Sequence, residues 1–180
     1  MSKRNQLIYL IKQKAISYGK FKLASGQISD YYIDLSKVVL DSTGLYLISS
    51  LVITEVDAWK KVNAVGGPAY GAIPIASGVL VLMHDSNWAM KGFFVRKEIK
   101  EHGKEELIEG HLSKGDKVVL VEDVTTTGGS LFKTVLEIQK LGCEVVETIS
   151  IVDRNQGASE LFVEKNLPFK SILNIEEILL

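Results

Sequence analysis

The sequence predicts an α/β domain built on a mainly parallel sheet. Two segments, Lys117–Val121 and Val145–Val152, are mostly apolar, which is typical of strands buried on both faces of a parallel sheet. Segments with helical spacing of apolar residues alternate with such strands, as they do in β–α–β units. The chain has 180 residues, enough to bury the core of one domain without a disulfide or a metal ion.

The first half of the chain is predicted to run from helix to strand. Leu7, Ile8 and Ile11 fall on one helical face, and Asp41 and Ser42 are residue types that cap the start of a helix. The elements expected here are a helix from Asn5 to Ile16, extended chain around a turn at Gly26 from Phe21 to Leu35, a helix after Ser42, and a strand from Val62 to Val65 that stops at Gly66–Gly67–Pro68.

The second half is predicted to repeat strand and helix. The expected elements are a helix from near Ile73, a strand from Phe93 to Val95, a charged stretch from Arg96 to Glu106, a strand from Lys117 to Val121, a loop from Glu122 to Gly129, a helix from Ser130 to Leu141, and a strand from Val145 to Val152. Ligands of such sheets bind beyond the carboxyl ends of the strands. We therefore expect a site among the residues that follow Val65, Val121 and Val152.

Composition excludes several classes of protein. Lys and Arg number 21 against 22 Asp and Glu, a net charge of −1, whereas nucleic-acid binders are normally strongly basic. The longest apolar stretch, near Gly71 to Met83, contains Pro74 and Gly78 and is too short to span a bilayer. The one cysteine, Cys143, cannot form a disulfide within the chain, which fits a reducing compartment. We expect a cytoplasmic protein that binds neither nucleic acid nor membrane.

The segment after Val121, EDVTTTGGS, carries the clearest chemical signal. Its glycines permit tight turns, and its hydroxyls and helix-starting amides form a cradle for a phosphate. Two adjacent carboxylates suit the vicinal hydroxyls of a sugar, so the pattern indicates a phosphorylated sugar. An ordinary capped β–α loop is the alternative. Gly66 and Gly71 have the spacing of a nucleotide-binding P-loop, but Ala72 and Ile73 replace its lysine and hydroxyl residue.

Three segments together resemble one enzyme family. VVLVEDVTTTGGS resembles the phosphoribosyl-pyrophosphate motif of type I phosphoribosyltransferases, while FKLASGQISDYYID and FVRKEIKEHG resemble the N-terminal segment and the mobile catalytic loop of the orotate phosphoribosyltransferases. GGPAYGAIPIA lies between them. The resemblance implies the type I phosphoribosyltransferase fold, with a mainly parallel central sheet flanked by helices. It also implies a single domain over residues 1–180, with a small N-terminal hood from about residues 1–40.

The implied reaction is orotate plus phosphoribosyl pyrophosphate giving orotidine 5-monophosphate and pyrophosphate, a step of de novo pyrimidine (UMP) synthesis. Magnesium is implied as cofactor, held through the donor and by no direct protein ligand. Glu122 and Asp123 would hold the ribose hydroxyls. The residues implied to bind the donor are Arg96, Lys97, Lys100, His102, Glu122, Asp123, Val124, Thr125, Thr126, Thr127, Gly128, Gly129 and Ser130. Those implied to bind orotate are Thr126 and Arg154, with Tyr31 and Tyr32 along the base pocket, and those implied in catalysis are Lys97, Lys100, His102 and Asp123.

The basic segment from Arg96 to His102 has two interpretations. Charges of alternating sign are typical of a solvated helix face, whereas cations near a departing pyrophosphate would lower the reaction barrier. The resemblance favours the second, and it implies a homodimer in which this loop reaches the neighbouring subunit. Gly71 stands where some members carry a lysine. Two alternatives remain at this stage: a purine phosphoribosyltransferase, and a regulator that keeps the fold and binds nucleic acid.

Overall fold

A computed structural model describes residues 1–22, 28–57, 59–97 and 107–180 of the chain. The positions of Gly26, Lys100 and His102 lie outside these ranges, as does most of the charged stretch. The elements in chain order are α1 (Lys3–Lys14), β1 (Ile16–Lys22), β2 (Ile28–Ile33), α2 (Ser36–Val39), α3 (Ser42–Glu55), β3 (Ala64–Pro68), α4 (Ala72–Asp85), β4 (Lys91–Val95), β5 (Ile108–Gly110), β6 (Lys117–Thr125), α5 (Gly129–Lys140), β7 (Glu144–Asp153), α6 (Ala158–Glu164), β8 (Lys170–Asn174) and α7 (Ile175–Leu179).

The central sheet has six strands in the order β5-β4-β3-β6-β7-β8. All neighbouring pairs are parallel except β4 and β5. The chain moves from β3 to β4 on one side and from β6 to β8 on the other, so the strand order reverses between β3 and β6. The predicted α/β class with a mainly parallel sheet is confirmed.

Helices cover both faces of this sheet. Along β6, Val119 and Val121 belong to one buried cluster while Val118 and Leu120 belong to another, because successive side chains of a strand point to opposite faces. The larger cluster joins α1, α3, α4 and α7 to the sheet, and the smaller joins α5 and α6. Among the described helices, none is long and apolar enough to cross a membrane.

The N-terminal segment adds a second, two-stranded sheet. Strands β1 and β2 are antiparallel, with Ile16 opposite Ile33. Helix α1 begins two residues earlier than predicted because the Ser2 hydroxyl accepts a hydrogen bond from Asn5 N at 3.2 Å and caps it. Ile16, predicted as the last helical residue, is instead the first residue of β1. The predicted cap of α3 is confirmed, since Asp41 accepts a hydrogen bond from Gly44 N at 3.0 Å.

Two predicted strand ends were wrong. β3 does not stop before the glycine pair but continues to Pro68, and β6 continues through Thr125, so the predicted loop from Glu122 begins four residues later. Parallel pairing explains the second difference, because β7 supplies backbone partners as far as Thr125, which lies opposite Asp153. Elements that the sequence pattern did not predict are α2, β5, α6, β8 and α7.

Candidate active site

The site residues meet at the carboxyl edge of the sheet. Strands β3, β4, β6 and β7 are parallel and end there, with Pro68 opposite Val95 and Thr125 opposite Asp153. The reversal of strand order between β3 and β6 opens a crevice at this edge, which is where α/β sheets bind ligands. Because Gly66 and Gly67 have no side chains, β4, β6 and α4 can pack close to β3. A Cβ on Gly67 would collide with the Val121 carbonyl oxygen and lie 2.8 Å from Ala72 Cβ.

The two adjacent carboxylates, Glu122 and Asp123, differ in their surroundings. Glu122 is buried and Asp123 is half-buried. Burial raises the pKa of Glu122 well above its ordinary value, and the neighbouring Asp123 carboxylate raises it further, while Lys97 opposes the shift. Lys97 thus lies close enough for its charge to act on Glu122. Asp123 Oδ1 accepts a hydrogen bond from Val124 N at 2.8 Å.

The phosphate-type motif forms the turn between β6 and α5. Gly128 has φ +77°, a left-handed conformation that favours glycine, and it directly precedes α5. No side chain caps this helix, and its first intrahelical bond at the turn runs from Phe132 N to Gly128 O at 2.8 Å. The amides of the first helical turn thus have no helical acceptor. Such a helix start binds anions well.

Arg154 follows β7 and lies beside this turn. Its backbone nitrogen donates to Thr125 O at 2.9 Å, and its guanidinium carbon lies 5.0 Å from the centre of the Tyr31 ring. The side chain is buried, yet its Nε and Nη2 have no hydrogen-bond partner within the described part of the chain, and neither does Thr125 Oγ1. Buried polar groups normally have partners. A ligand with acceptor oxygens would satisfy both nitrogens.

Arg96 and Lys97 leave the end of β4 toward the same crevice. Arg96 pairs with Glu109 at 3.2 Å, and Lys97 is exposed. Both line a cleft of about 480 Å³ together with Ala69, Tyr70, Ile73 and Phe94. The other two predicted loop cations, Lys100 and His102, lie outside the described residues. Within those residues, no group of three His, Cys, Asp or Glu side chains is arranged to hold a metal ion.

One neighbour of the site was not predicted from the sequence. Gly71 lies against the carboxylate of Asp123, so that a Cβ at this position would be 2.6 Å from Asp123 Cγ. The sequence places Gly71 and Asp123 on different strand ends and gives no sign of the contact. The sequence does show the pair Gly66–Gly67 in β3. Glycine inside a strand indicates the close approach of another backbone.

Comparisons with known proteins agree with this geometry. A family model described as "Phosphoribosyl transferase domain" matches residues 47–174. An orotate phosphoribosyltransferase of Methanosphaera stadtmanae is 41% identical over 175 residues, which cover 97% of this chain and 95% of that protein. The chain belongs to the orotate phosphoribosyltransferase family. This result favours the main prediction from the sequence over the purine enzyme and the regulator.

Solved structures support the orotate phosphoribosyltransferase assignment. A phosphoribosyltransferase from Corynebacterium diphtheriae matches with a TM-score of 0.86 and 37% identity, covering 100% of both chains. The orotate phosphoribosyltransferase of Mycobacterium tuberculosis in complex with 5-phospho-alpha-D-ribosyl 1-diphosphate matches with a TM-score of 0.79 and 31% identity, covering 99% of this chain and 100% of that one. The predicted type I phosphoribosyltransferase fold is confirmed.

Proposed function

We propose that this orotate phosphoribosyltransferase transfers ribose 5-phosphate from phosphoribosyl pyrophosphate to orotate in the crevice between β3 and β6. The observation that carries the proposal is Arg154, a buried guanidinium with two unpartnered nitrogens beside a phosphate-type helix start. The planar guanidinium group can donate two parallel hydrogen bonds to the two oxygens of one carboxylate. Orotate has such a carboxylate, whereas purine bases do not. Thr126, which follows the residue that accepts a hydrogen bond from Arg154 N, is the second residue we assign to orotate.

The turn after β6 would hold the donor's 5-phosphate. The amides at the start of α5 have no side-chain cap, and Gly128 before them is left-handed. These amides and the hydroxyls of Thr125, Thr126, Thr127 and Ser130 would surround the phosphate. The helix dipole favours an anion there. Val124 and Gly129 would contribute backbone contacts. That the M. tuberculosis enzyme was solved with this donor supports the assignment.

Glu122 and Asp123 would bind the ribose hydroxyls and stabilise positive charge that develops on the ring as pyrophosphate departs. Asp123, half-buried in the crevice, is the carboxylate that reaches the substrate. Arg96 and Lys97 line the adjoining cleft, where their charge would stabilise the leaving group. We assign the same role to Lys100 and His102 on the basis of the sequence resemblance.

The oxygen ligands available in this crevice suit magnesium. Mg²⁺ binds oxygen ligands, keeps several waters and needs only one or two carboxylates beside substrate phosphates. Glu122 and Asp123 lie at this edge, and among the described residues no group of three or more His, Cys, Asp or Glu side chains is arranged to hold a metal ion by itself. We propose that the ion arrives with the donor and is held through it. When bound, it neutralises charge on the pyrophosphate.

We further propose a cytoplasmic homodimer. Helix α4 has no charged residue before Asp85, and on its outer side Ser77 and Val81 are exposed. Tyr70, just before α4 and beside Lys97 in the cleft, is 83% exposed. An uncharged face next to a basic segment suits a second copy whose loop completes the site. The single cysteine is buried and reduced, which is consistent with the cytoplasm.

The decisive experiment follows the ultraviolet absorbance of orotate mixed with phosphoribosyl pyrophosphate and magnesium. We expect wild-type turnover, its loss in Asp123→Asn, and a KM for orotate raised roughly 10- to 100-fold in Arg154→Lys, since one charged hydrogen bond is worth about 1.5–3 kcal/mol. Arg4→Lys, at an arginine that is paired with Glu177 and has no assigned role in the reaction, is the matched control. Turnover with adenine or hypoxanthine but not orotate would refute the proposal, as would donor binding without turnover of any base.

A further inference from the structure

Arg154 is a buried arginine without a carboxylate partner. Among the described residues, no carboxylate is paired with it, and no group accepts a hydrogen bond from its Nε or Nη2. Its neighbour Asp153 is also buried but bonds elsewhere, since its carboxylate accepts from Asn155 N at 3.0 Å and from Ser159 Oγ at 3.4 Å. Taking a charge out of water without pairing it is costly. A group other than an acid must therefore stabilise this guanidinium.

The contact that Arg154 does make is with an aromatic ring. The guanidinium carbon lies over the Tyr31 ring, 5.0 Å from its centre, which is within the distance at which a cation is attracted to the electron-rich face of a ring. This attraction uses the charge of the guanidinium and none of its N–H groups. It lowers the cost of burying Arg154 and leaves Nε and Nη2 free to donate, whereas a carboxylate partner would occupy them.

Tyr31 is held in place by its own hairpin and by the core. It lies on β2 opposite Tyr18 of β1, and it packs against the larger core cluster, to which Ile33 at the end of β2 belongs. Just after β2, Asp34 N donates to Ala15 O at 2.9 Å, which ties the end of the hairpin to its beginning. The ring that faces Arg154 is therefore anchored on an element separate from the strand that carries the arginine.

We propose that Tyr31 is a positioning residue for Arg154. The ring holds the guanidinium at the carboxyl edge of the sheet with two N–H groups unpaired, so that they bind the carboxylate of orotate. The sequence resemblance places Tyr31 along the base pocket, whereas this role is exerted through Arg154 and requires no contact between Tyr31 and the base. It makes Tyr31 a determinant of the preference for a base with a carboxylate. The inference rests on the proposed function, because the position of Arg154 matters only if Arg154 binds orotate.

The test compares two nucleotides that differ by one carboxylate. Orotidine 5-monophosphate carries it and uridine 5-monophosphate does not, and calorimetry measures the affinity of the enzyme for each. Tyr31→Leu should weaken binding of the orotidine nucleotide roughly 3- to 30-fold, as expected for loss of a cation–π contact, and leave binding of the uridine nucleotide within about twofold. In an Arg154→Ala background, Tyr31→Leu should have no further effect on the affinity for either nucleotide.

Two comparisons separate the attraction of the ring from its shape. Tyr18→Leu removes the tyrosine opposite Tyr31 in the hairpin, which is 75% exposed, and should leave both affinities unchanged. Tyr31→Phe should also bind both nucleotides as the wild type does. A phenylalanine fluorinated on its ring, introduced at the same position, keeps the shape but weakens the negative face, so it should lose affinity for the orotidine nucleotide. These two aromatic variants decide the question even if Tyr31→Leu fails to fold.

Three results would overturn the inference. These are an unchanged affinity for the orotidine nucleotide in Tyr31→Leu, an equal loss for both nucleotides, which would assign Tyr31 to the base itself, and equal affinities in Tyr31→Phe and its fluorinated counterpart. The two proposals fail separately. If Arg154→Ala keeps the wild-type preference for the orotidine nucleotide, Arg154 does not bind the carboxylate and Tyr31 positions nothing. If Arg154→Ala loses that preference but Tyr31→Leu keeps it, only the positioning role is wrong.

Discussion

Adjacent side chains on one strand face very different environments in this site. Glu122 points into the protein and is 8% exposed, while Asp123 reaches the crevice. Alternation along β6 explains the difference, because neighbouring residues of a strand face opposite sides. Burial beside a second carboxylate raises the pKa of Glu122. Two acids that are consecutive in sequence thus differ in their surroundings, and Glu122 is suited to gain or lose a proton as its surroundings change.

Glu122→Gln is expected to stabilise the fold at neutral pH. The pKa of Glu122 is raised in the folded state from its ordinary 4.5, so the native state binds this proton more tightly than the unfolded chain does. That contribution to stability is complete below pH 4.5 and is lost as pH rises through the folded-state pKa. Glutamine has no proton to lose. Denaturant unfolding should therefore show an advantage of the variant that grows from pH 4.5 upward.

The matched control for this prediction is Glu55→Gln, at an exposed position at the end of α3. It should give a difference from wild type that changes little over the same pH range. A constant difference for Glu122→Gln would contradict the argument. Turnover should fall in Glu122→Gln even though the fold gains stability, because a group that we propose to bind the ribose has been changed. Stability and activity commonly oppose each other at such positions.

At the scale of elements, the β6–turn–α5 unit would form the phosphate end of the proposed site. β6 is fixed between β3 and β7, and α5 packs through Leu131, Val135 and Ile138 into the smaller core cluster. The turn between them is therefore held at both ends by buried residues. Gly128 also touches α6, since a Cβ there would lie 3.2 Å from Phe162 Cε2. The amides at the start of α5 are therefore held in place by the surrounding core, which lowers the entropy lost when an anion binds.

Gly128→Ala should weaken both the fold and donor binding. The substitution forces a left-handed residue to carry a Cβ, at about 1–2 kcal/mol, and presses it against α6. Gly115→Ala is the matched control. Gly115 also has a positive φ, at +89°, but a Cβ added there would have nothing within 4 Å. Both variants should lose stability in thermal unfolding, and only Gly128→Ala should lose affinity for the donor in calorimetry. Equal donor affinities would show that the turn does not hold the phosphate.

Sequence patterns predicted the long elements well and the short ones poorly. Helix α3 and strands β6 and β7 have enough residues for periodicity and a buried face to show. β8 and α7 have five residues each, and tertiary contacts hold them: Arg4 pairs with Glu177 of α7 at 2.6 Å. The motif after Val121 located the candidate site, but its first residues proved to be strand. Pairing with β7 extended strand β6 into these residues. The contact between Gly71 and Asp123 joins residues far apart in the sequence, so no local pattern predicts it.

The whole molecule combines a rigid sheet with an appended hairpin that reaches the site. β2 contributes Tyr31, whose ring stacks against the Arg154 guanidinium, so the N-terminal segment would close one side of the proposed orotate position. On the opposite side of the crevice lie Tyr70 and Lys97, next to the uncharged face of α4. In the proposed dimer, one side of each site would be formed by its own chain and the other by the neighbouring subunit.

Two inactive variants are expected to complement each other in one dimer. A heterodimer of Lys100→Ala and Asp123→Asn subunits, isolated with two different tags, carries one site with both substitutions and one with neither, if the loop acts across the interface. It should show about half the activity of the wild-type dimer. Tagged homodimers of each variant are the controls and should remain inactive. An inactive heterodimer would place the loop and Asp123 of each site on the same chain.

The antiparallel pairing of β4 with β5 has a kinetic consequence. Val95 lies opposite Ile108, and Arg96 N donates to Leu107 O at 2.8 Å, so the segment between Lys97 and Leu107 starts and ends on neighbouring strands. Its ends stay one strand spacing apart, about 4.8 Å. Arg96, bonded through its backbone to Leu107, and the adjacent Lys97 thus start from a fixed edge of their own chain's sheet. In the proposed reaction their charge would reach the leaving group without a separate binding event, so its supply would be first-order.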